Sequence, residues 1–287
     1  MSIHPPDPAA RRYAVIGHPV AHSRSPFIHA AFAAQTGVAI EYERIDCAAD
    51  GFAAAVRAFA DGGGAGCNIT VPFKFEAAAL AATCTARARL AGAVNTLRLD
   101  RGGWLGDNTD GCGLLRDLEV HAGCSLAGRH VLLIGAGGAA AGVLGPLLQA
   151  RPRLLVLVNR SAARAQALAQ RHAELAHAAG VDLQTAAIEE PGRAFDLVIN
   201  ASASSLQGAG VPVPDCVLAP QALAVDLMYG AAAQPFLDWA ARLGARGRDG
   251  LGMLVEQAAE AFLVWHGVRP DGAAVLQTLR EQLAGGR

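Results

Sequence analysis

The stretch from His130 to Ala150 limits what this chain can fold into more than any other part of the sequence. Its four apolar residues from Val131 to Ile134 have the length of a strand that is buried on both faces. Gly135 then allows a tight turn out of the strand, and Gly137 lets the backbone approach a pyrophosphate. The small residue Ala140 takes the third position of the pattern, where a helix must pack closely on the strand. The stretch therefore predicts a strand–turn–helix unit that binds a dinucleotide at the helix N-terminus.

Two other interpretations of this stretch have to be weighed. It carries no charge between His130 and Arg151, so its hydropathy alone could indicate a membrane-spanning helix. Its five glycines and Pro146 would make a poor straight helix, however, and the apolar run is interrupted where a turn is needed. A glycine turn that binds no ligand is the second alternative, and the sequence after the next strand bears on it.

The next predicted strand, 154–158, ends in Asn159-Arg160-Ser161. A site for NAD usually has an acidic residue roughly 20 residues after the glycines, where it holds the ribose 2′-hydroxyl. A carboxylate would repel a 2′-phosphate, whereas the planar guanidinium of Arg160 can bind one through several donors. Arg164, one turn into the following helix, could add a second positive charge. A solvated arginine at a strand end is the plain alternative, but together with the glycine turn these residues predict NADP rather than NAD.

Composition restricts the class of protein. The chain has 287 residues, which suits two domains of ~150 residues each, and 52% of them are hydrophobic. A formal net charge of −1 predicts neither nucleic acid nor an anionic membrane as a partner. The short N-terminus lacks the features of a signal peptide. The six cysteines are scattered without a C-x-x-C pair, which argues against a metal site and favours free thiols in a reducing cytoplasm.

Strands also alternate with helices before the dinucleotide unit, and polar residues follow several of the strands. Ser23 and Ser25 lie in the loop after the first strand, where two hydroxyls beside helix N–H groups could hold a carboxylate, although Ser25 would serve equally well as an N-cap. Lys74 lies at the mouth of a predicted strand, 68–71, where α/β proteins collect reactive groups, but an exposed lysine at a helix start is the plain alternative. Asp110 could simply cap the helix that it begins. The other predicted helices are 26–37, 52–61, 75–91, 110–121, 162–179, 234–242, 254–266 and 273–283. The other predicted strands are 12–17, 40–45, a short strand after Asn95, 195–200 and 223–227.

Taken together, these motifs resemble the shikimate dehydrogenase family. The resemblance extends from about Arg12 to Leu283, with order and spacing retained. The motifs that carry it are Ser23-Arg24-Ser25-Pro26, Asn68-Ile69-Thr70-Val71-Pro72-Phe73-Lys74, Ala93-Val94-Asn95-Thr96, Gly106-Asp107-Asn108-Thr109-Asp110-Gly111, the glycine turn, Asn159-Arg160-Ser161, and Asp249-Gly250-Leu251-Gly252 leading to Gln257.

The resemblance implies an α/β fold with two domains and a cleft between them. The N-terminal α/β substrate domain would span residues 1–109 and be completed by C-terminal helices in 245–287, and a Rossmann-type NADP-binding domain would span 110–244. The implied activity is the reversible, NADPH-dependent reduction of 3-dehydroshikimate to shikimate. The implied substrate-binding residues are Ser23, Ser25, Thr70, Lys74, Asn95, Asp110, Tyr229 and Gln257.

Lys74 and Asp110 are the expected catalytic residues. Hydride delivery to a ketone builds negative charge on oxygen, which an ammonium group can stabilise while it donates a proton. Asp110 would hold that ammonium in place and accept a hydrogen bond from a substrate hydroxyl. Sequence leaves open which of the two transfers the proton, because a coupled pair need not have separate assignments.

The expected cofactor is NADP, and two departures from the family pattern accompany its site. Many family members have an arginine at the position of Ala141, and a glycine is common at the position of Ser205. The expected cofactor-binding residues are Gly135, Ala136, Gly137, Gly138, Ala139, Asn159, Arg160, Ser161, Arg164, Leu227 and Gly250.

Two alternative functions remain at this point. The chain could be a paralogue that oxidises quinate or prefers NAD, against which Asn159 and Arg160 argue. It could also be a protein that senses NADP without turnover, for which loss of Lys74 or Asp110 would be expected, and both are present. The expected partner is a small-molecule substrate, and the resemblance is compatible with a monomer or a homodimer.

Overall fold

The protein forms two six-stranded sheets flanked by helices. A computed structural model describes residues 10–202 and 210–285, so Ser205 lies outside the described residues. The strands are β1 (Arg11–Gly17), β2 (Ile40–Asp46), β3 (Gly64–Ile69), β4 (Thr83–Cys84), β5 (Thr96–Asp100), β6 (Gly103–Asp107), β7 (His130–Ile134), β8 (Leu154–Val158), β9 (Asp182–Ala186), β10 (Phe195–Asn200), β11 (Leu218–Asp226) and β12 (Arg246–Arg248). The helices are α1 (Ser25–Thr36), α2 (Phe52–Asp61), α3 (Lys74–Leu80), α4 (Ala86–Ala91), α5 (Asp110–Arg116), α6 (Gly138–Gln149), α7 (Ala162–Arg171), α8 (Ala173–Ala179), α9 (Gln234–Arg242), α10 (Leu251–His266) and α11 (Gly272–Gly285).

The first sheet is mixed and has the strand order β2-β1-β3-β5-β6-β4. β1 runs parallel to β2 and β3, whereas β5 is antiparallel to both β3 and β6. Successive residues of β1 enter different cores, as expected for a strand covered on both faces. Ile16 packs with Phe52 and Phe73, while Tyr13 stacks on Trp265 of α10 with ring centroids 4.5 Å apart. Helix α10, from the C-terminal part of the chain, therefore covers one face of the first sheet.

The second sheet is wholly parallel and has the order β12-β11-β10-β7-β8-β9. This is the doubly wound order of a Rossmann fold, in which ligands bind where the strand order reverses, here between β7 and β10. Gly135 lies at that point with φ 115°, and a Cβ on it would come within 2.9 Å of the Ala201 carbonyl oxygen. The expected α/β fold with a Rossmann-type unit is confirmed.

Helices α5 and α10 lie where the chain passes between the two sheets. The two helices touch closely, since a Cβ on Gly113 of α5 would lie 2.6 Å from the backbone nitrogen of Gln257 in α10. The indole of Trp265 donates a hydrogen bond to the Leu97 carbonyl in β5 at 3.0 Å, which attaches α10 to the first sheet. No helix in the described parts of the chain has both the length and the apolar character that crossing a bilayer requires.

The structure corrects two of the predicted helices. The alanine-rich segment 75–91 is not one helix, because β4 pairs with β6 in its middle and Thr85 then caps α4 by accepting the Ala88 N–H. The predicted helix 162–179 is interrupted at His172, whose buried ring bonds through Nδ1 to the Leu168 carbonyl. Both segments have residues of high helix propensity, so the sequence predicted continuous helices. Tertiary contacts override that propensity at both breaks.

Smaller differences concern strands and helix starts. The structure shows four strands absent from the sequence prediction, which are β4, β6, β9 and β12. Of these, β9 and β12 lie at sheet edges and are too polar or too short to show a clear alternation of polar and apolar residues. The strand expected at 68–71 starts and ends earlier, as β3. Ser25 is the first residue of α1 rather than its N-cap, and Arg24 holds the cap position.

Buried histidines predict how the stability of this fold depends on pH. Burial lowers the pKa of His29 from 6.5 to about 3, because the charged ring would lose its hydration. Below pH 6.5 the unfolded chain binds a proton on this ring that the folded state excludes. The free energy of unfolding is therefore highest above pH 6.5 and decreases as the pH falls below that value. Because of His29, we expect the free energy of unfolding to decrease by roughly 2 kcal/mol between pH 7 and pH 5.

Denaturant unfolding at several pH values measures this effect. His29→Phe should have a smaller loss of unfolding free energy between pH 7 and pH 5 than the wild type, whatever its absolute stability. His22→Phe, at an exposed position, is the matched control and should keep the wild-type pH dependence. An unchanged pH dependence in His29→Phe would contradict the assignment.

Candidate active site

A nearly dry ion pair lies where the first sheet faces the second. Lys74 is the first residue of α3 and Asp110 is the first residue of α5. The Lys74 Nζ lies 2.6 Å from Asp110 Oδ2, and the two side chains are only 13% and 5% exposed. Attraction between such charges is stronger here than in bulk water because little solvent screens it.

Asn95 connects this pair to α10. Its Nδ2 donates to Asp110 Oδ1 at 2.9 Å and lies 3.2 Å from Gln257 Oε1, while its Oδ1 accepts the Thr109 backbone N–H at 2.8 Å. Asn95 is 2% exposed, so this amide is held by its partners rather than by water. The structure thus brings Lys74, Asn95, Asp110 and Gln257 together from four parts of the chain.

The two serines form a second polar group near the start of α1. Ser23 Oγ lies 3.2 Å from Ser25 Oγ, and Arg44 from β2 donates to the Ser23 carbonyl oxygen at 2.7 Å through Nη2. Tyr229 hydrogen-bonds with the backbone of Arg24, and burial raises the pKa of its hydroxyl. Hydroxyls from Ser23 and Ser25, with an arginine behind them, suit a carboxylate.

Asn68 is a buried polar residue of this region that the sequence prediction did not name as a binding residue. Its Oδ1 accepts the Tyr42 hydroxyl at 2.7 Å and lies 3.2 Å from His29 Nε2. Its Nδ2 lies 3.3 Å from Thr96 Oγ1. The signal that could have found it is a polar amide inside an otherwise buried strand, two residues before Thr70, which follows β3.

A crevice of about 400 Å³ opens at the carboxyl ends of β7, β8 and β10. Residues of the glycine turn, Asn159, Arg160 and Arg164 line it, as expected from their positions, and Ile188 and Met228 line it without having been predicted. Three predicted cofactor residues are not part of its wall: Ser161, Leu227 and Gly250.

Those three residues have contacts within the protein. The Ser161 carbonyl accepts the Asn159 side-chain N–H at 3.0 Å. The Leu227 N–H donates to the Asn200 carbonyl at 3.0 Å, and a Cβ on Gly250 would come within 2.3 Å of the Leu227 carbonyl oxygen. Ser161 and Leu227 follow the ends of β8 and β11, and Gly250 lies between β12 and α10.

The crevice fits a dinucleotide phosphate. A Cβ on Gly137 would meet no atom within 4 Å, so the backbone at the start of α6 is open to a ligand. Arg160 and Arg164 are exposed, and neither forms an ion pair with any residue in 10–202 or 210–285. Ala141 is buried in α6 and packs inside the protein, so it offers no charged group to a phosphate.

The ion pair and the crevice share one wall. Lys74 lines the crevice, and a Cβ on Gly138 would lie 3.0 Å from Lys74 Cβ. A Cβ on Gly142, one turn further along α6, would lie 2.8 Å from Asp110 Oδ2. A group bound over the glycine turn would therefore lie beside a proton donor. Within the described ranges, no cluster of three or more His, Cys, Asp or Glu side chains is arranged to hold a metal ion.

Lys74 carries a further signal that the sequence prediction did not use. It is the only lysine among the 24 lysine and arginine residues of the sequence. All the others are arginines, which cannot give up a proton in a protein, whereas a lysine can. Lys74 can therefore donate a proton that an arginine at this position could not.

Family models match three successive segments of the chain. Residues 15–97 match the shikimate dehydrogenase substrate binding domain, and residues 118–207 match shikimate / quinate 5-dehydrogenase. Residues 250–280 match the shikimate 5′-dehydrogenase C-terminal domain. The first segment runs from within β1 to the start of β5, and the second contains the glycine turn.

Individual relatives cover nearly the whole chain. A protein of Methylibium petroleiphilum named shikimate dehydrogenase (NADP(+)) is 62% identical over 286 residues, which is 97% of each chain. The crystal structure of an Ael1 enzyme from Pseudomonas putida has a TM-score of 0.84 and 47% identity, covering 94% of this chain and 98% of that one. Shikimate 5-dehydrogenase from Thermus thermophilus, in complex with NADP(H) and shikimate, has a TM-score of 0.80 and 31% identity, covering 94% and 99%. This chain belongs to the shikimate dehydrogenase family.

Proposed function

We propose that this protein catalyses the reversible, NADPH-dependent reduction of 3-dehydroshikimate to shikimate, a step in the biosynthesis of aromatic amino acids. One observation carries the proposal: the Lys74–Asp110 pair lies in the wall of a crevice that has an open glycine turn and two arginines without ion-pair partners in the described ranges. Relatives with about 60% identity over almost the full chain are named for this activity.

The proton transfer follows from the chemistry of the pair. NADPH, when bound over the glycine turn, supplies a hydride for the carbonyl carbon of the substrate. The ammonium of Lys74 stabilises the negative charge that develops on the carbonyl oxygen and donates the proton that completes the hydroxyl. Asp110 holds the ammonium in place at 2.6 Å, and Asn95 in turn holds Asp110.

The substrate would lie between the serines and the ion pair. Ser23 and Ser25, with Tyr229 nearby, bind its carboxylate, and Arg44 contacts the Ser23 carbonyl rather than either serine hydroxyl. Thr70, Asn95 and Gln257 face its ring hydroxyls. This division of roles rests on the matching family motifs, and the contacts of Asn95 with Asp110 and Gln257 support it.

The two sheets also support a division into domains. The substrate domain comprises residues 1–109, completed by 245–287, and the NADP-binding domain comprises 110–244. The packing of α10 on the first sheet supports the return of the C-terminus to the substrate domain. Six free cysteines suit a reducing cytoplasm. The cytoplasmic location, a homodimer and the absence of nucleic-acid partners stay predictions.

Initial rates with four pairs of substrate and cofactor test the proposed function. Shikimate with NADP⁺ should have a kcat/KM at least about tenfold higher than the pairs with quinate or NAD⁺. Higher turnover of quinate or NAD⁺ would assign the protein to the paralogue class. No turnover in any pair, with NADPH still bound, would favour the NADP-sensing alternative.

Replacing Arg160 tests the choice of cofactor. Arg160→Ala should lower kcat/KM for NADP⁺ about 10- to 100-fold, mainly through KM, because charged hydrogen bonds to the 2′-phosphate are lost. The rate with NAD⁺ should change little. Arg153→Ala is the matched control, since Arg153 is exposed and precedes the same strand, β8. Equal losses with both cofactors would contradict the proposed selectivity.

Replacing Lys74 separates catalysis from binding. Lys74→Ala should lower kcat by about 100- to 10,000-fold and change KM far less, because the proton donor is lost. Lys74→Arg keeps the positive charge but cannot give up a proton, so its kcat should stay low as well. A large rise in KM with unchanged kcat would show that Lys74 only binds substrate.

A further inference from the structure

The turn that leads into Asp110 begins with another buried carboxylate. Asp107 is the last residue of β6, lies three residues before Asp110 and is only 2% exposed. It does not contact Lys74 or the crevice. A buried carboxylate of this kind is stable only when its oxygens are fully bonded, so its partners decide where the turn lies.

Arg87 of α4 supplies most of that bonding. Its Nε donates to Asp107 Oδ1 at 2.7 Å and its Nη2 to Asp107 Oδ2 at 2.6 Å, which is a two-point contact that only a guanidinium can make. Thr85 Oγ1 and the Asn108 N–H add contacts of 2.6 and 2.7 Å to Oδ1. Burial raises the pKa of Asp107, but these donors outweigh it and the pKa is lowered overall.

The third nitrogen of the same guanidinium contacts two more elements. Arg87 Nη1 lies 2.9 Å from Glu260 Oε1 in α10 and 2.9 Å from Cys112 Sγ in α5. Glu260 lies three residues after Gln257, so both side chains lie on neighbouring positions of α10. One side chain therefore connects the end of β6, the first turn of α5 and the helix that carries Gln257.

These contacts determine the spacing of the groups at the active site. Within the turn, the Asp110 N–H donates to Asn108 Oδ1 at 3.1 Å, and Asn108 Nδ2 donates to the Ala93 carbonyl at 2.9 Å. The turn is thus rigid, and its anchor at one end is the Asp107–Arg87 contact. A displacement of about 1 Å at a reacting group can lower a rate by about 100-fold.

We infer that Arg87 is a positioning residue for the reaction: through Asp107 and Glu260 it holds Asp110, and hence Lys74, in the orientation that proton transfer requires. The inference rests on the proposed function, although the geometry of the pair can be measured without turnover. Arg87 itself touches neither Lys74 nor Asp110.

Arg87→Lys is the variant that tests this role. It keeps one positive charge but cannot make the two-point contact with Asp107. We expect kcat at saturating shikimate and NADP⁺ to fall about 10- to 100-fold, with KM for NADP⁺ nearly unchanged. Arg89→Lys is the matched control: Arg89 lies two residues further along α4, is exposed and contacts the Cys84 carbonyl, so its variant should keep the wild-type kcat.

A spectroscopic signal separates positioning from mere stabilisation. Because Lys74 is the only lysine, labelling lysine with ¹⁵N at Nζ gives one side-chain ammonium resonance. This resonance should shift in Arg87→Lys and stay at its wild-type position in Arg89→Lys, with both proteins folded by circular dichroism. In each variant the introduced lysine adds a second resonance, which is assigned by comparison with the same variant carrying Lys74→Arg. The measurement needs no turnover, so it stays decisive even if shikimate is not the substrate.

Two results would overturn the inference. One is a folded Arg87→Lys protein with wild-type kcat and an unchanged Lys74 resonance, even if its thermal midpoint is lower. The other is an equal loss of kcat in Arg89→Lys. If Arg87→Lys does not fold, Glu260→Gln replaces it, since it removes the negative charge that Arg87 contacts in α10, a charge that also pairs with Arg269. It should then shift the Lys74 resonance and lower kcat about two- to tenfold, and an unchanged resonance with wild-type kcat would count against the role of Arg87.

Discussion

The site depends on how closely helix α6 approaches the Lys74–Asp110 pair. Gly138 and Gly142 lie one turn apart on that helix, and a Cβ on either would press on Lys74 or Asp110. Small residues at the start of such a helix usually serve two purposes. They let the backbone approach the pyrophosphate of a dinucleotide, and they let the helix pack closely on the strand. Here they also let helix α6 touch the Lys74–Asp110 pair, as the proposed delivery of hydride and proton to one carbonyl requires.

Around this contact, the protein buries polar side chains and satisfies them through other side chains. Asn95 bonds Asp110, Thr109 and Gln257, and Asp107 bonds Arg87, Thr85 and the turn itself. Such networks are expensive to leave incomplete, because each unpaired group would lose its hydration without compensation. Complete hydrogen bonding of these buried side chains therefore has two effects. It keeps the site rigid, and it excludes the water that would weaken the attraction between its charges.

The sequence predicted the parts of the structure in which local pattern and tertiary packing agree. The strands 154–158 and 195–200 and the helix 234–242 are confirmed with their bounds, because each is delimited by a clear change of polarity. Segment 75–91 was predicted wrongly because β4 owes its existence to pairing with a distant strand. For the site, the family resemblance grouped Lys74, Asn95 and Asp110, because the local pattern alone fitted an exposed lysine and a helix cap as well. Asn68 stands out in the sequence only as a polar amide in a buried strand, and the contacts of Asn68 and Met228 depend on the packing of other elements.

The central claim is that Lys74 contacts the substrate oxygen at which charge develops, and one resonance reports on it directly. The ¹⁵N signal of Lys74 Nζ should move little when NADP⁺ alone is added, and it should shift strongly when saturating shikimate follows. Calorimetry under the same conditions verifies that shikimate is bound. A Lys74 signal that stays unchanged while shikimate is bound would contradict the account, because the ammonium would then lie away from the reacting oxygen.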